Sequence, residues 1–276
     1  MFYTRIQVVC SSDWAEILMA EVAEAGFDTF METEKGFEAY AEQNRFDAAR
    51  LDSIREKYQT KASAVFFQDK VKKENWNELW EKNYQPVIVE NQCLIRAAFH
   101  QPDKTYPYEI VITPKMSFGT GHHATTYLMI KNQMKINHQG LRVMDAGTGT
   151  GILAIMACKR GALFVDAFDT DDWSIENGNE NIQLNHCTNV RIRKGTINSL
   201  TFEEPFDIIL ANINKNVLIE EMPSYARHLK RESYLLLSGF YVQDIPEIEK
   251  IARQHNLIKR ASDERDSWAC LLFAKQ

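Results

Sequence analysis

Apolar and polar positions divide this chain into two regimes. Up to about residue 67 the strand-like runs are short and alternating, at 3–9, 29–32, 36–41 and 64–67, with the middle pair joined as a hairpin through Glu34-Lys35-Gly36. Helical spacing lies between them, at 12–25, where Trp14, Ile17, Leu18 and Val22 share a face, and at 45–58. The order β-α-β-β-α-β predicts a small α+β unit of ferredoxin-like type. From residue 141 onward the runs become continuously apolar. Those at 162–168, 190–193, 207–213 and 234–237 alternate with helical stretches such as 217–229 and 244–254, the rhythm of a parallel sheet covered on both faces. Residues 70–81, charged and carrying Trp76 and Trp80 at helical spacing, read as a connecting segment that runs into a helix and packs its tryptophans on the main domain. The expected organisation is a small α+β domain over 1–60, a linker and connecting helix over 61–80, and an α/β doubly wound, Rossmann-like domain over 81–276.

Within the second regime, residues 141–155 read LRVMDAGTGTGILAI, an apolar run that ends in Asp145, meets alternate glycines and continues into a helical pattern. Gly147, Gly149 and Gly151 tolerate backbone angles closed to other residues and let a ligand approach main-chain N–H groups. The spacing selects among ligands. A dinucleotide fingerprint needs a glycine where this chain has Ile152, and no Gly-Lys-Ser/Thr follows as a phosphate-cradling loop requires. The next strand delivers Asp169 to its C-terminal end, where a carboxylate accepts hydrogen bonds from both hydroxyls of a ribose. One of Asp171 and Asp172 is the expected N-cap of the following helix. Asp145, the G-x-G-x-G loop and Asp169 together resemble the cofactor loop of class I S-adenosylmethionine-dependent methyltransferases. Asn212 falls at a later strand end, on the side of the sheet where such folds bind ligands.

Composition narrows the setting without changing this picture. The chain has 276 residues and a net charge of −6, so a broad cationic surface for nucleic acid is not expected, and an acidic enzyme suits a basic protein substrate. Five cysteines without a C-x-x-C pair indicate neither a disulfide framework nor a zinc site. The start of the chain lacks a signal-peptide pattern and no run reaches membrane-span length, so a cytoplasmic location is expected.

A second glycine-containing motif, Phe118-Gly119-Thr120-Gly121-His122-His123-Ala124-Thr125-Thr126, precedes a helix with apolar Leu128, Met129 and Met134. Thr125 or Thr126 is the expected cap, offering a hydroxyl to a ligand as well. Adjacent histidines diverge in direction and have no third ligand at zinc spacing, so no metal is expected. F-G-T-G-x-H-x-T-T, D-x-G-x-G-x-G-I-L-A-I, D-x-D and A-N-I in this order are similar to the ribosomal protein L-eleven methyltransferase family, over most of the chain from Trp76 and including Trp268. The resemblance implies an S-adenosylmethionine enzyme that methylates lysine side chains and the α-amine of that large-subunit ribosomal protein, with a small N-terminal domain that docks the substrate. Carried over by residue, its cofactor contacts fall on Thr126, Gly147, Asp169 and Asn212. The chain departs from the family pattern at Thr113-Pro114-Lys115-Met116-Ser117-Phe118 and at Ala124, positions that bear on the substrate entrance.

Methyl transfer from a sulfonium is an in-line displacement and needs alignment and desolvation rather than a nucleophilic side chain. The Asn212 side-chain oxygen and the Ala211 and Asn212 carbonyls are the candidates to orient a neutral acceptor amine, while Gly147 and Gly149 shape the cofactor cradle. Asn212-Ile213-Asn214-Lys215 is not the Asn-Pro-Pro-aromatic motif that grips planar amide or adenine nitrogens, which argues against a base amine as acceptor. Asn214 and Asn216 are equally candidates to cap the next helix. An RNA methyltransferase, a small-molecule methyltransferase and a non-catalytic cofactor-binding assembly module remain as alternatives. A monomer is expected.

Overall fold

β1 (Phe2–Val9) lies inside a four-stranded antiparallel sheet, flanked by β3 (Gly36–Glu42) and β4 (Val65–Lys72), with β2 (Thr29–Thr33) at the far edge. The structure is a computed structural model that describes residues 2–33, 35–42, 45–72, 84–114 and 118–276. Trp76, Trp80 and the helix expected near them lie outside the described residues, as do Glu34 of the hairpin and Lys115, Met116 and Ser117. The chain separates into two units, Met1–Tyr84 and Gln85–Gln276.

In the first unit α1 (Ser12–Glu24) and α2 (Ala48–Lys61) complete the β-α-β-β-α-β order, and the strand order β2-β3-β1-β4 is that of a ferredoxin-like fold. Ile6 and Val8 of β1 meet Leu18 and Val22 of α1 and Leu51, Ile54 and Tyr58 of α2 in one core. Ile17, expected on the buried face of α1, is 46% exposed, whereas Leu18 and Val22 are fully buried and Trp14 and Met19 pack against the same core. The boundary expected at residue 60 falls inside this fold. β4 pairs with β1 from Phe2↔Lys72 to Val9↔Val65, so 65–72 is a sheet strand and not linker. Backbone pairing with a central strand outweighs the charged character that made Lys70 and Lys72 read as linker.

The second unit is built on seven strands in the order β10-β9-β8-β11-β12-β14-β13. They are β8 (Arg142–Ala146), β9 (Phe164–Asp169), β10 (Val190–Lys194), β11 (Phe206–Asn212), β12 (Leu229–Tyr241), β13 (Leu257–Arg265) and β14 (Trp268–Lys275). β8 to β12 run parallel, and β14 is antiparallel to both its neighbours. Alternate residues of the central strands serve two separate cores: Val143, Ile208, Leu210 and Leu236 one, Met144, Ile209, Ala211, Leu235 and Leu237 the other. Period-2 alternation with both sets apolar gives the continuous apolar runs of the sequence. The first core takes α3 (Ala124–Gln133), α4 (Ile152–Lys159) and α5 (Asp172–Leu184); the second takes α6 (Lys215–His228) and α7 (Ile245–Gln254). Chain progress reverses between β8 and β11, and that reversal opens the crevice in which doubly wound folds bind ligands.

A three-stranded sheet of β5 (Val87–Val89), β6 (Cys93–Ala97) and β7 (Tyr108–Ile112) precedes this core. Its hairpin turns at Glu90 and Asn91, both at positive φ. The end of β7 and the residue after it are held by a ladder of asparagines on α5 and its C-cap. Asn185 bonds both the N–H and the C=O of Val111, Asn181 accepts from the Thr113 amide at 2.8 Å, and Asn177 donates to the Thr113 carbonyl. Side chains at i, i+4 and i+8 of one helix thus satisfy an edge that would otherwise need another strand.

Candidate active site

β8 delivers Asp145, Gly147 and Gly149 to the crevice, and β9 delivers Asp169 beside them. Gly147, Gly149 and Gly151 all take positive φ, at 68°, 54° and 79°. A Cβ on Gly149 would stand 2.3 Å from the Phe118 carbonyl oxygen and one on Gly147 2.3 Å from Ile213 Cγ2, so both glycines are required by protein packing as well as by backbone angle. The Gly149 amide donates to Asp169 Oδ2 at 2.9 Å, and Asp169 Oδ1 accepts from the Asp171 amide. Each oxygen keeps a lone pair for a further donor. Asp171, not Asp172, caps α5, accepting from the Ser174 amide.

Asp145 is fully buried under the loop. Its Oδ2 accepts from Thr148 Oγ1 at 2.6 Å and from the Ala154 amide at 3.1 Å, while Oδ1 has no partner. Burial pushes its carboxyl up to about 7, and the neighbouring Asp169 charge adds to the rise.

The Phe118–Thr126 segment is tied to the same loop. Thr150 donates its amide to the Phe118 carbonyl at 2.9 Å and its hydroxyl to the Gly119 carbonyl at 2.7 Å, and Asn181 donates to the Thr150 carbonyl at 2.8 Å. The cap of α3 is His123 rather than either threonine. The helix starts at Ala124, two residues earlier than a Thr125 cap requires, and His123 Nδ1 accepts from the Thr125 amide and bonds the Thr125 hydroxyl. An amide only donates, so Nδ1 is the bare nitrogen and the neutral ring carries its hydrogen on Nε2. The His123 ring also makes edge contacts with Phe118 and with Trp268, at 5.2 and 4.8 Å between centroids, and Trp268 lies 4.2 Å from Tyr241. His122 Nε2 bonds the Gln85 carbonyl. No group of three or more His, Cys, Asp or Glu is placed to hold a metal among the described residues.

These elements enclose a cavity of about 720 Å³, lined among others by Gly147, Gly149, Asp169 and Asn212. Thr126 does not line it. Thr125 and His123 do, and Thr126 is fully buried with its hydroxyl unpartnered. Asn212 pairs with Ser238 at the end of β11, its Oδ1 buried and without a hydrogen-bond partner. Ile213 follows, covered by Gly239 at φ 96°, where a Cβ would stand 2.1 Å from the Ile213 oxygen. Gly239 was not singled out in the sequence. It interrupts a strand, and only the close approach of Ile213 distinguishes it from an ordinary bulge.

The profile of the ribosomal protein L11 methyltransferase family (PrmA) matches residues 7–276. The chain belongs to this family. It is 41% identical over 260 residues, 94% of this chain and 90% of the relative, to the ribosomal protein L11 methyltransferase of Porphyromonas gingivalis. It is 38% identical over 266 residues to that of Phocaeicola vulgatus, covering 96% and 95% of the two chains. The crystal structure of the ribosomal protein L11 methylase of Lactobacillus delbrueckii subsp. bulgaricus superposes with a TM-score of 0.65 at 28% identity, over 70% of this chain and all of that one.

Members of the L11 methyltransferase family are S-adenosylmethionine-dependent enzymes, and the cavity suits that cofactor. Its length runs from an orphaned buried acceptor, Asn212 Oδ1, over a glycine loop to a strand-end carboxylate with lone pairs to spare. These are the counterparts that an amino-acid amine and a ribose diol require. Sequence reasoning found the strand ends and the glycine loop. It did not find Thr150, Gly239, His123 as a cap, or Glu221, a carboxyl on α6 that is 93% buried, its exposure being 7%, and that also lines the cavity.

Proposed function

We propose that this protein transfers methyl groups from S-adenosylmethionine to lysine side chains and the N-terminal α-amine of ribosomal protein L11, in the cytoplasm, as a monomer and without direct nucleic-acid contact. The carrying observation is Asn212, whose unpartnered Oδ1 lines the same cavity as Gly147 and Asp169. When bound, the cofactor supplies an electrophilic methyl on a sulfonium.

The protein's own groups do the rest. Asp169 accepts from the ribose hydroxyls, Gly147 and Gly149 let the cofactor lie against the main chain, and the Asn212 oxygen orients the N–H of a neutral amine for in-line approach. Thr126 is retained in the cofactor set on its unsatisfied hydroxyl alone. Phe118, His123 and Trp268 line the cavity too, and their rings shield an amine from water as it loses its proton. Among the described residues every lining residue falls between Phe118 and Trp268, which leaves the first unit free for docking the protein substrate.

Incubation of the purified protein with labelled cofactor and free ribosomal protein L11, followed by mass spectrometry of the peptides, tests the reading. Methyl groups on amines of L11 are the expected result. Label in RNA or in a small molecule, with none in L11, overturns it.

A further inference from the structure

The cavity continues past the groups used so far. Asp169 ends β9, and the loop after the neighbouring strand β10 is tied to it by the Gly195 amide, which donates to the Asp169 carbonyl at 2.8 Å. A cofactor whose ribose is held by the Asp169 side chain therefore sends its base toward residues 195–198. α6 reaches the same loop from the other side, since Ser224 Oγ donates to Asn198 Oδ1 at 2.6 Å. Along α6 the cavity-lining positions are Val217, Glu220 and Glu221. At about 1.5 Å per residue, Glu221 sits roughly 10 Å down the helix from the cap Asn214, away from Asn212 and toward the base.

Glu221 is 93% buried (7% exposed) and oriented. Its Oε2 accepts from the Tyr225 hydroxyl at 2.5 Å, and Tyr225 is itself fully buried, so the rotamer is fixed. Asn198 Oδ1 is already committed to Ser224, and the Thr196 hydroxyl to Ser199. We propose that Glu221 is the residue that reads the adenine of the cofactor, its free carboxylate oxygen accepting a hydrogen bond from the exocyclic amine. An ionised carboxylate only accepts, so the same oxygen repels the carbonyl that replaces this amine in a hypoxanthine base. Burial holds the Glu221 carboxyl above its usual range, the state of a charge still lacking a donor from a ligand.

The inference rests on the cofactor reading, and calorimetry with two probes separates their failures. S-adenosylhomocysteine and S-inosylhomocysteine are titrated into the intact wild-type protein and into Glu221→Gln, with thermal melts to confirm folding. The wild type binds the adenosyl compound roughly 10- to 150-fold tighter, the range for a hydrogen bond to a charged group. In Glu221→Gln the Tyr225 hydroxyl keeps the amide oxygen, the amide nitrogen faces the cavity, and the preference falls to near unity or reverses. Glu221→Leu removes the acceptor altogether and brings the ratio to within about threefold. A wild type that binds neither compound overturns the cofactor reading and this one with it. Tight adenosyl binding with a ratio unchanged in both variants overturns this inference alone.

Discussion

The amide of Gly149 donates to Asp169 Oδ2 at 2.9 Å, so the glycine loop of one strand is fastened to the acid that ends the next. In the proposed function Asp169 therefore has two roles toward the cofactor, directly through its lone pairs and indirectly through the loop it holds. Asp169→Ala is expected to weaken S-adenosylhomocysteine binding by roughly 2–3 kcal/mol, the upper range for a hydrogen bond to a charged group. Asp169→Asn keeps an oxygen for Gly149 and is expected to lose less. Calorimetry measures both, and an unchanged affinity in a folded Asp169→Ala protein removes the residue from the site.

The strand ends that carry Asp169 and Asn212 were legible because buried parallel strands write continuous apolar runs whose last polar residue is visible. The glycine loop was legible because its spacing excludes other ligands. The hairpin at Glu90 and Asn91 was not, since neither residue carries the Asn-Gly signature of such turns. The asparagines of α5 were hidden for a different reason: polar residues at helical spacing read as a solvated face, and only the structure places Asn181 against the Thr113 amide and the Thr150 carbonyl. The cap at His123 was obscured by two threonines with better capping propensity two and three residues downstream.

Asn181 gives the second prediction. It is fully buried, and Asn181→Ala leaves both the Thr113 amide and the Thr150 carbonyl without their partner. The expected loss of stability is roughly 2–4 kcal/mol for two unsatisfied backbone groups. Urea denaturation with an unchanged slope reads it directly. A loss well below 1 kcal/mol means that the β7 edge is held by other contacts.

The third prediction separates the units. Since every described residue that lines the cavity falls between Phe118 and Trp268, a chain beginning at Gln85 is expected to bind S-adenosylhomocysteine with wild-type affinity and to leave ribosomal protein L11 unmethylated. Full methylation of L11 by this shorter chain removes the docking role of the first unit. Lost cofactor affinity shows instead that the second unit needs the first to fold.

Asp145 sets a pH dependence of stability. Its carboxyl stands at about 7 against an ordinary 3.8, so between these values the folded protein holds a proton that the unfolded chain has released. Stability contributed by the protonated form is complete below about pH 4, falls as pH rises through this window, and levels off above 7. The full span is up to about 4 kcal/mol at 1.36 kcal/mol per pH unit. Asp145→Asn does not titrate and keeps one oxygen for Thr148 and Ala154. Denaturation at pH 5 and pH 8 is expected to show the variant gaining on the wild type as pH rises, and a gap that stays constant contradicts this assignment.

The last prediction concerns the proton of the acceptor amine. Asn212 offers an oxygen that orients an N–H but does not take a proton at neutral pH. The nearby ring of His123 has its bare nitrogen committed to Thr125, and Glu221 sits roughly 10 Å along its helix toward the base end of the cavity. Among the described residues no strong base therefore faces the acceptor, and on the proposed reading selection falls on amines already neutral or neutralised by desolvation. Lysine side chains, with an ordinary pKa of about 10.4, are expected to be methylated at rates that keep rising well above pH 8. An α-amine, at about 7.8, is expected to level off near pH 8. Single-turnover measurements on peptides offering one kind of amine isolate the chemical step from product release. A lysine profile that levels off near pH 7 contradicts the assignment. It would place a tuned base at the cavity mouth, and His123→Gln, which preserves an acceptor for the Thr125 amide, is then the variant that identifies it.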